Sequence, residues 1–388
     1  MNIKKMRKKI ISFALFLMSA INMPLFAEQN FSITNPTYNA DVTAIGKTAI
    51  LNLFTAMEND INTELKGFDQ TKLLVPMADA TALSHKGIGV DYSTNPEFFI
   101  MGFAISPSVN AGDRTYNDLK NENIYYETGG GSVPQVGASA QLGLMAGINL
   151  GFLEIMPDLG FMDLNKLTIY ADIFAMDAGQ LMTDLDMQPK DMTIKKAEFF
   201  NIGVHGQYPI IESVTIAPFG MAKWGGVSLT SGFEYTSSTI LMTTTLPPGK
   251  NNDGIFEVTW DGSVDLGADT GILSIPVEVS TNFQFLYAFT LFAGAGLDFN
   301  IGKSSTIAEV TAPITGTALV AVPPINAGDT VVTADANLDM SEEVWATPVD
   351  IRFFGGLQIN FPILKITTMV AYASNNGYQV TAGVKLAY

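Results

Sequence analysis

The 388-residue chain contains no cysteine and only two histidines, and charged residues make up 15% of its composition. The absence of cysteine excludes a disulfide framework, thiol catalysis, a cysteine-ligated zinc site and a lipid-modified N-terminal cysteine. Hydrophobic residues make up 47% of the chain, which excludes an intrinsically disordered protein. The sequence therefore predicts an ordered fold without covalent cross-links.

Basic residues are also scarce. The chain has 21 Lys and Arg against 38 Asp and Glu, giving a net charge of −17. A protein this acidic repels nucleic acid and anionic lipid head groups, so no nucleic-acid partner is expected. Beyond the N-terminal region the only arginines are Arg114 and Arg352, so the arginine ladder of a general porin constriction is missing.

The one long apolar run lies at the N-terminus. Five basic residues precede it, and Leu25-Phe26-Ala27 offers a cleavage point, so residues 1–27 are predicted to be a cleavable signal peptide. A retained signal anchor is the alternative. The run from Ile10 to Ile21, however, is shorter than the roughly 20 apolar residues that a spanning helix needs.

From about Gly87 to the C-terminus, apolar residues recur at every second position. The longest alternations are 136–152 and 285–301, and their interleaved residues are mainly Gly, Ser, Thr, Asn and Gln, with few lysines. Seventeen extended residues span roughly 56 Å, whereas an average strand of a soluble protein has only five or six residues. The apolar faces are therefore expected to contact lipid.

Only closure pairs every backbone group of a sheet within hydrocarbon. The predicted fold is thus all-β: an up-and-down transmembrane antiparallel β-barrel over residues 87–388, in the outer membrane of a bacterium. The alternative is a secreted soluble β-sandwich or lipocalin-like barrel. Ten strands can be counted and ten to fourteen are allowed. They are 97–106, 135–152, 166–176, 196–208, 224–242, 255–280, 286–302, 348–361, 364–374 and 377–388.

Turn lengths predict how the barrel is oriented. Short turns such as Phe361-Pro362-Ile363 are placed in the periplasm, and long connections are placed outside the cell, as is usual for transmembrane barrels. The long connections are 107–134, 177–195, 243–254 and 303–347. For the apolar, threonine-rich stretch Ser304 to Ala346, three interpretations stay open: a lid, a partner-binding loop and an extended hairpin.

Residues 28–86 are predicted to form an N-terminal helical segment. Helical apolar spacing runs from Asp41 to Lys66, Gly67 is a natural stop, and Pro76 marks the start of a second short helix. Two positions for this segment stay open. It could pack in the periplasm or at the barrel rim, or it could act as a plug or partner-binding element.

The last strand resembles the C-terminal signature of bacterial outer-membrane proteins, which implies recognition by the barrel-assembly machinery. The matching residues alternate and end in an aromatic residue: Tyr378, Val380, Ala382, Val384, Leu386 and Tyr388. Within that class, the order of elements resembles the long-chain fatty-acid transporter family, with Asn35-Pro36 followed by helices and glycine-rich strands. The family's usual alanine after Asn-Pro is Thr37 here, and its fourteen strands exceed the ten counted.

No catalytic motif accompanies either histidine, so no enzymatic activity, cofactor or metal site is expected. Outer-membrane hydrolases need a histidine with a serine or paired acids at a rim, and neither His85 nor His205 has such neighbours in the sequence. The polar strand faces instead supply candidate lumen-lining residues, which are Glu257, Asp261, Asp265, Asp298, Asp350, Arg352 and His205.

Three functions stay open at this stage. The favoured one is a narrow channel or passive transporter for small or hydrophobic solutes, since glycine-lined strands leave space in a lumen. The main alternative is a surface-exposed adhesin or ligand-binding barrel whose external loops bind host or matrix ligands. The third is an envelope-spanning structural anchor that acts through residues 37–85. Outer-membrane lipid and the assembly machinery are expected partners in each case.

Overall fold

The computed structural model describes most of the chain outside its N-terminal region. The described residues are 31–65, 71–93, 98–112, 125–128, 131–134, 136–153, 163–179, 192–217, 221–338 and 342–387. The predicted signal peptide, Gly67, Tyr388, half of the connection 107–134 and most of the connection 177–195 lie outside these residues.

Ten antiparallel strands close into a barrel, as the alternation predicted. In chain order they are β2 (Phe99–Asn110), β5 (Gly137–Asn149), β6 (Thr168–Asp177), β7 (Met192–Ile211), β9 (Ala222–Asn252), β10 (Phe256–Phe285), β11 (Phe289–Ala318), β14 (Val349–Asn360), β15 (Leu364–Ala373) and β16 (Gly377–Ala387). Sequential strands are neighbours, and closure comes from pairing of β16 with β2 and of β11 with β14.

The remaining elements are short strands and two helices. They are β1 (Phe31–Tyr38), α1 (Ala44–Leu65), α2 (Thr71–Ser84), β3 (Tyr125–Thr128), β4 (Gly131–Pro134), β8 (Val214–Thr215), β12 (Thr330–Leu338) and β13 (Glu343–Trp345). Among the described residues, no helix combines the length and apolar character needed to cross a membrane.

The outer surface of the barrel carries an apolar band. Leu144, Leu291, Phe353 and Val370 are 55–59% exposed, whereas the residues that alternate with them point inward. A twelve-residue strand such as β14 covers roughly 28 Å of membrane normal at 45° tilt, which matches the apolar band of outer-membrane barrels. The apolar strand faces therefore contact lipid, and the barrel spans an outer membrane.

One part of the wall continues far beyond the barrel. β11 pairs with β14 only as far as Phe299 but runs on to Ala318, and β9 and β10 extend with it. β12 pairs with this extension of β11, and β1 pairs with β12. We call this sheet the overhang: residues 239–252, 256–270 and 304–318 of β9, β10 and β11, with β12 and β1.

The overhang has its own apolar core. α1 packs on its inner face through four buried side chains, Ile50, Leu53, Phe54 and Met57. Opposite them, Phe256 and Val258 are buried, although the apolar faces of the alternating strands were expected to contact lipid. Apolar residues still alternate in the overhang, but they occupy the inward positions of the strands. The reason is that α1, and not lipid, covers the apolar face above the membrane.

Two predicted loops are largely strand, the predicted loop 107–134 contains the β3–β4 hairpin, and β1 was missed. Residues 243–252 complete β9, and most of 303–347 forms the end of β11 together with β12 and β13, as the extended-hairpin interpretation expected. Both loops were mispredicted because the strands were expected to stop at the membrane boundary. β1 was missed because its Asn- and Thr-rich segment has little apolar alternation. This strand is instead stabilised by its long-range pairing with β12. α2 begins at Thr71, with Pro76 inside the helix and not at its start.

Candidate functional site

α2 and the segment that follows it occupy the barrel lumen. We call residues His85–Ser93 the inner segment. From Ala78 to Ser93 every residue except Gly87 is buried, and α2 contacts strands on several sides of the barrel, including β2, β5, β10 and β16. The chain therefore enters from the overhang side, passes through the lumen, and starts β2 at the rim with short turns.

Close backbone approach holds α2 against the wall. A Cβ placed on Gly137 would lie 2.0 Å from the carbonyl carbon of Pro76, so only glycine allows this contact. Nearby, the Ser108 hydroxyl donates a hydrogen bond of 2.6 Å to the Ala80 carbonyl, and the hydroxyls of Ser84 and Ser139 lie 3.3 Å apart. These contacts fix the depth of the helix in the lumen.

A buried ionic network joins the inner segment to the wall. Lys86 forms an ion pair with Glu234 of β9 and lies 3.7 Å from Asp298 of β11. Arg352 of β14 is fully buried and pairs with both Asp298 and Glu278 of β10. A buried charge without a partner costs several kcal/mol, so these groups are stable in the lumen only as a set.

Tyr92 extends the same network from the other end of the inner segment. Its hydroxyl donates a hydrogen bond of 2.8 Å to Glu278 Oε2, and its ring packs against Phe354 with a centroid separation of 4.6 Å. Lys385 of β16 lies 3.2 Å from the Asp91 carboxylate. Side chains on opposite walls therefore meet through the inner segment.

The two histidines meet at a second buried cluster. His85 Nε2 lies 2.5 Å from Asp172 Oδ1, and the other ring nitrogen lies 3.1 Å from the Thr236 hydroxyl. His205 is farther from its acids, with Nε2 at 3.6 Å from Asp172 and 3.7 Å from Glu234. Neither ring nitrogen of His205 has a direct hydrogen-bond partner among the described residues.

The residues predicted to line the lumen divide into two groups. Asp298, Arg352 and His205 are buried and belong to the ionic network or to the histidine cluster. Asp350 is buried near the rim below the overhang, where the Asn375 amide donates a hydrogen bond of 2.6 Å to it. Several of the residues predicted to line the lumen therefore lie close to other buried charged residues.

Glu257, Asp261 and Asp265 do not line the lumen. They lie on the outer face of the overhang, because the odd-numbered positions of β10 continue the outward face of the barrel wall. Partial burial favours a higher pKa for Asp265, but hydrogen bonds from Lys195 and Thr243 outweigh it and lower that pKa. The prediction failed because the polar face turns outward once lipid no longer surrounds the strand.

Several site residues were missed. Asp172, Glu234 and Glu278 occupy inward positions of their strands, and the period of two could have found them. Lys86 and Asp91 carried no such signal, because the inner segment has no regular secondary structure. Their burial depends on ion pairs with distant strands.

A cavity of about 440 Å³ remains at the rim below the overhang. It lies between α2 and the hairpin that joins β15 to β16, with Asp79, Thr347 and Asn375 among its lining residues. Asp79 accepts hydrogen bonds of 2.7 Å from both the backbone amide and the hydroxyl of Thr347. In the described part of the chain, histidines and carboxylates form no group of three that could hold a metal ion.

The C-terminal strand presents its signature residues to lipid. Val380, Val384 and Leu386 are 43–50% exposed, while Gln379, Thr381 and Lys385 point into the barrel. The alternation of the motif is therefore an alternation of barrel faces. Tyr388, its last residue, lies outside the described residues.

Several solved structures of outer-membrane β-barrels are similar to this chain. One is the translocator domain of the autotransporter NalP from Neisseria meningitidis (9% identity, 90% of this chain and 100% of that one, TM-score 0.28). A second is the toluene transporter TbuX from Ralstonia pickettii (8% identity, 82% and 99%, TM-score 0.25). A third is a FadL homologue from Pseudomonas aeruginosa (9% identity, 81% and 99%, TM-score 0.24).

No curated protein matches the sequence of this chain. One family model does match it, and the match covers residues 37–388, which include the helices, the inner segment and all ten barrel strands. The chain belongs to the Lsa36-like family.

Proposed function

We propose that this protein is a closed outer-membrane barrel that holds the overhang outside the cell as a ligand-binding surface. Of the two main functions that the sequence left open, this is the surface-exposed one. The observation that carries it is the filled lumen, because sixteen consecutive residues, 78–93, thread the barrel and nearly all are buried.

The packing of the overhang supports the proposal. β11 continues for nineteen residues beyond its last pair with β14, from Phe299 to Ala318, and such a length covers roughly 60 Å of extended chain. α1 covers the inner face of the sheet with a separate apolar core. A built structure of this size is not needed to close a barrel.

The orientation follows from turn lengths. Short turns such as the one around Pro362 lie at the rim opposite the overhang, and short turns face the periplasm in transmembrane barrels. We place the overhang outside on that basis. The predicted signal peptide 1–27 and recognition of β16 by the barrel-assembly machinery belong to the same proposal, since they would deliver and insert the chain.

The proposal is tested by blocking one end of the protein at a time. The chain lacks cysteine, so Asp261→Cys on the overhang and Glu212→Cys at the opposite rim can each be coupled to a 5-kDa polyethylene glycol. Binding of the nanodisc-embedded protein to immobilised extracellular-matrix proteins is then measured. We expect the polymer at position 261 to abolish binding and the polymer at position 212 to leave it intact. Absence of binding by the unmodified protein, or equal loss at both positions, would contradict the proposal.

Transport remains a second candidate, favoured by the cavity beside α2. A small solute that entered there would pass only if α2 and the inner segment moved, because both fill the lumen below. This function predicts solute uptake into proteoliposomes by the unmodified protein. Uptake no faster than in empty liposomes would remove it.

A further inference from the structure

The cavity at the rim below the overhang is lined by a buried amide group that lacks a partner. Asn110, at the end of β2, is 1% exposed and lines the cavity. Its Oδ1 accepts a hydrogen bond of 2.8 Å from the Gly112 amide, which fixes the orientation of the side-chain amide. Asn110 Nδ2 then has no hydrogen-bond partner among the described residues. Leaving a buried donor unpaired is unfavourable, so this group favours an acceptor from outside the described part of the chain.

A buried acceptor on the neighbouring hairpin also lacks a partner. Asn375 lines the same cavity, and its Nδ2 donates a hydrogen bond of 2.6 Å to Asp350, which leaves its Oδ1 unpaired within the described residues. The hairpin is fixed against the end of β2, because the Ala111 amide donates to the Asn376 carbonyl and Asn376 Nδ2 donates to the Gly112 carbonyl. One unpaired donor and one unpaired acceptor therefore belong to the lining of a single cavity.

The charges of the lining balance. Lys72 and Asp79 line the cavity with opposite charges, and both carboxylate oxygens of Asp79 already accept hydrogen bonds of 2.7 Å from Thr347. Val75 and Pro76 of α2 add apolar surface to the same lining. The lining therefore favours an uncharged molecule that has hydrogen-bond donors, acceptors and an apolar face.

We propose that this cavity is a binding site for a neutral saccharide, either a free sugar or the end of a glycan chain. A hydroxyl group both donates and accepts hydrogen bonds, so sugar hydroxyls match Asn110 Nδ2 and Asn375 Oδ1. The C–H face of a sugar ring matches the apolar surface of Val75 and Pro76. The volume of about 440 Å³ lies within the range of small-molecule sites. The inference goes beyond the proposed function, because it concerns the mouth of the barrel and not the overhang.

The test measures saturation-transfer NMR of sugars with the full chain in a detergent that has no sugar head group. The probes are glucose, galactose, mannose and N-acetylglucosamine, each free and as the terminal unit of an oligosaccharide. Acetate and the free amino acid glycine serve as charged probes. Titration of each probe gives its dissociation constant.

Two cavity variants change the site in different ways. Asn110→Asp replaces the unpaired donor with an acceptor and keeps the acceptor for the Gly112 amide. Val75→Phe fills the cavity from α2 and leaves both amide groups unchanged. The matched controls are Asn52→Asp, on the exposed side of α1, and Val214→Phe, at the opposite rim. Heat-modifiable migration on gels verifies that each barrel is folded.

We expect at least one sugar to bind the wild type and both controls. Asn110→Asp should raise the dissociation constant of that sugar about tenfold or more, and Val75→Phe should abolish its binding. Binding of either form of the sugar supports the site, and the form that binds more tightly identifies a free sugar or a glycan end as the source.

Three results would overturn the proposal. They are no saturation transfer from any sugar, as expected if the cavity holds only water, tighter binding of acetate or glycine than of every sugar, and equal binding by the cavity variants and the controls. Each of these results would leave the test of the overhang unaffected, so failure of this inference is distinguishable from failure of the proposed function.

Discussion

Arg352 Nε donates a hydrogen bond of 2.8 Å to Asp298 Oδ2 inside the barrel, although the two residues lie 54 positions apart in the chain. They sit on adjacent strands, β14 and β11, and the same guanidinium reaches Glu278 on β10. Three wall strands and the inner segment thereby share one set of charges, since Lys86 also lies near Asp298.

Removing the arginine alone should be costly. Arg352→Met leaves Glu278 and Asp298 buried with one fewer cation, and loss of one partner from a buried ion pair destabilises by about 3–5 kcal/mol. The change should appear as a lower urea midpoint for barrel unfolding in detergent. Adding Glu278→Gln and Asp298→Asn to Arg352→Met should recover part of that loss. A single variant as stable as the wild type would show that the network does not hold the barrel.

Reversing the charge of Lys86 should loosen the lumen. Lys86→Glu would face Glu234 and Asp298, so repulsion should displace the inner segment and open a path for ions. Single-channel recordings in planar bilayers should detect conductance events that the wild type lacks. Lys166→Glu, at an exposed ion pair on the rim, is the matched control and should stay silent. Equal conductance in all three proteins would mean that the inner segment does not close the lumen.

Enlarging Gly137 should displace α2. A valine side chain at this position would overlap the Pro76 carbonyl, because its Cβ would lie 2.0 Å from that group, and overpacking of this kind costs about 1–3 kcal/mol or more. Limited proteolysis should then cut within residues 71–84 of the variant but not of the wild type. Gly254→Val, where a Cβ meets nothing within 4 Å, has a positive φ and serves as a control for strain at a site remote from α2. Equal protection of residues 71–84 in the Gly137 variant and the wild type would count against this contact as the anchor of the helix.

Side chains of α1 accept hydrogen bonds from the edge of β1 that faces away from β12. Glu58 accepts a hydrogen bond of 2.7 Å from the Ile33 amide, and Asn62 accepts one of 2.9 Å from the Phe31 amide. Exposed strand edges recruit other strands, and here the helix covers the edge with side-chain acceptors. Glu58→Ala/Asn62→Ala should leave both amides without acceptors, at about 1–3 kcal/mol each if they stay buried. Hydrogen exchange at residues 31–34 should accelerate, whereas Thr55→Ala on the exposed side of α1 should not change it.

The barrel could be predicted from the sequence because lipid imposes a strict period of two. Leu291 and Phe353, for example, face lipid as that pattern required. Above the membrane the polar residues take the outward positions, so the prediction that Glu257, Asp261 and Asp265 line the lumen was wrong. The inner segment escaped prediction for a different reason. Lys86 and Asp91 are buried through contacts with residues 148 and 294 positions later in the chain, and the sequence near Lys86 and Asp91 gives no sign of those contacts.

We propose that the overhang stands outside the cell while the opposite rim faces the periplasm. Asp261→Cys and Glu212→Cys can be tested in a chain without other cysteines, using a membrane-impermeant maleimide on intact cells and on permeabilised cells. We predict labelling at position 261 in intact cells and labelling at position 212 only after permeabilisation. Labelling at 212 but not at 261 in intact cells would contradict the account.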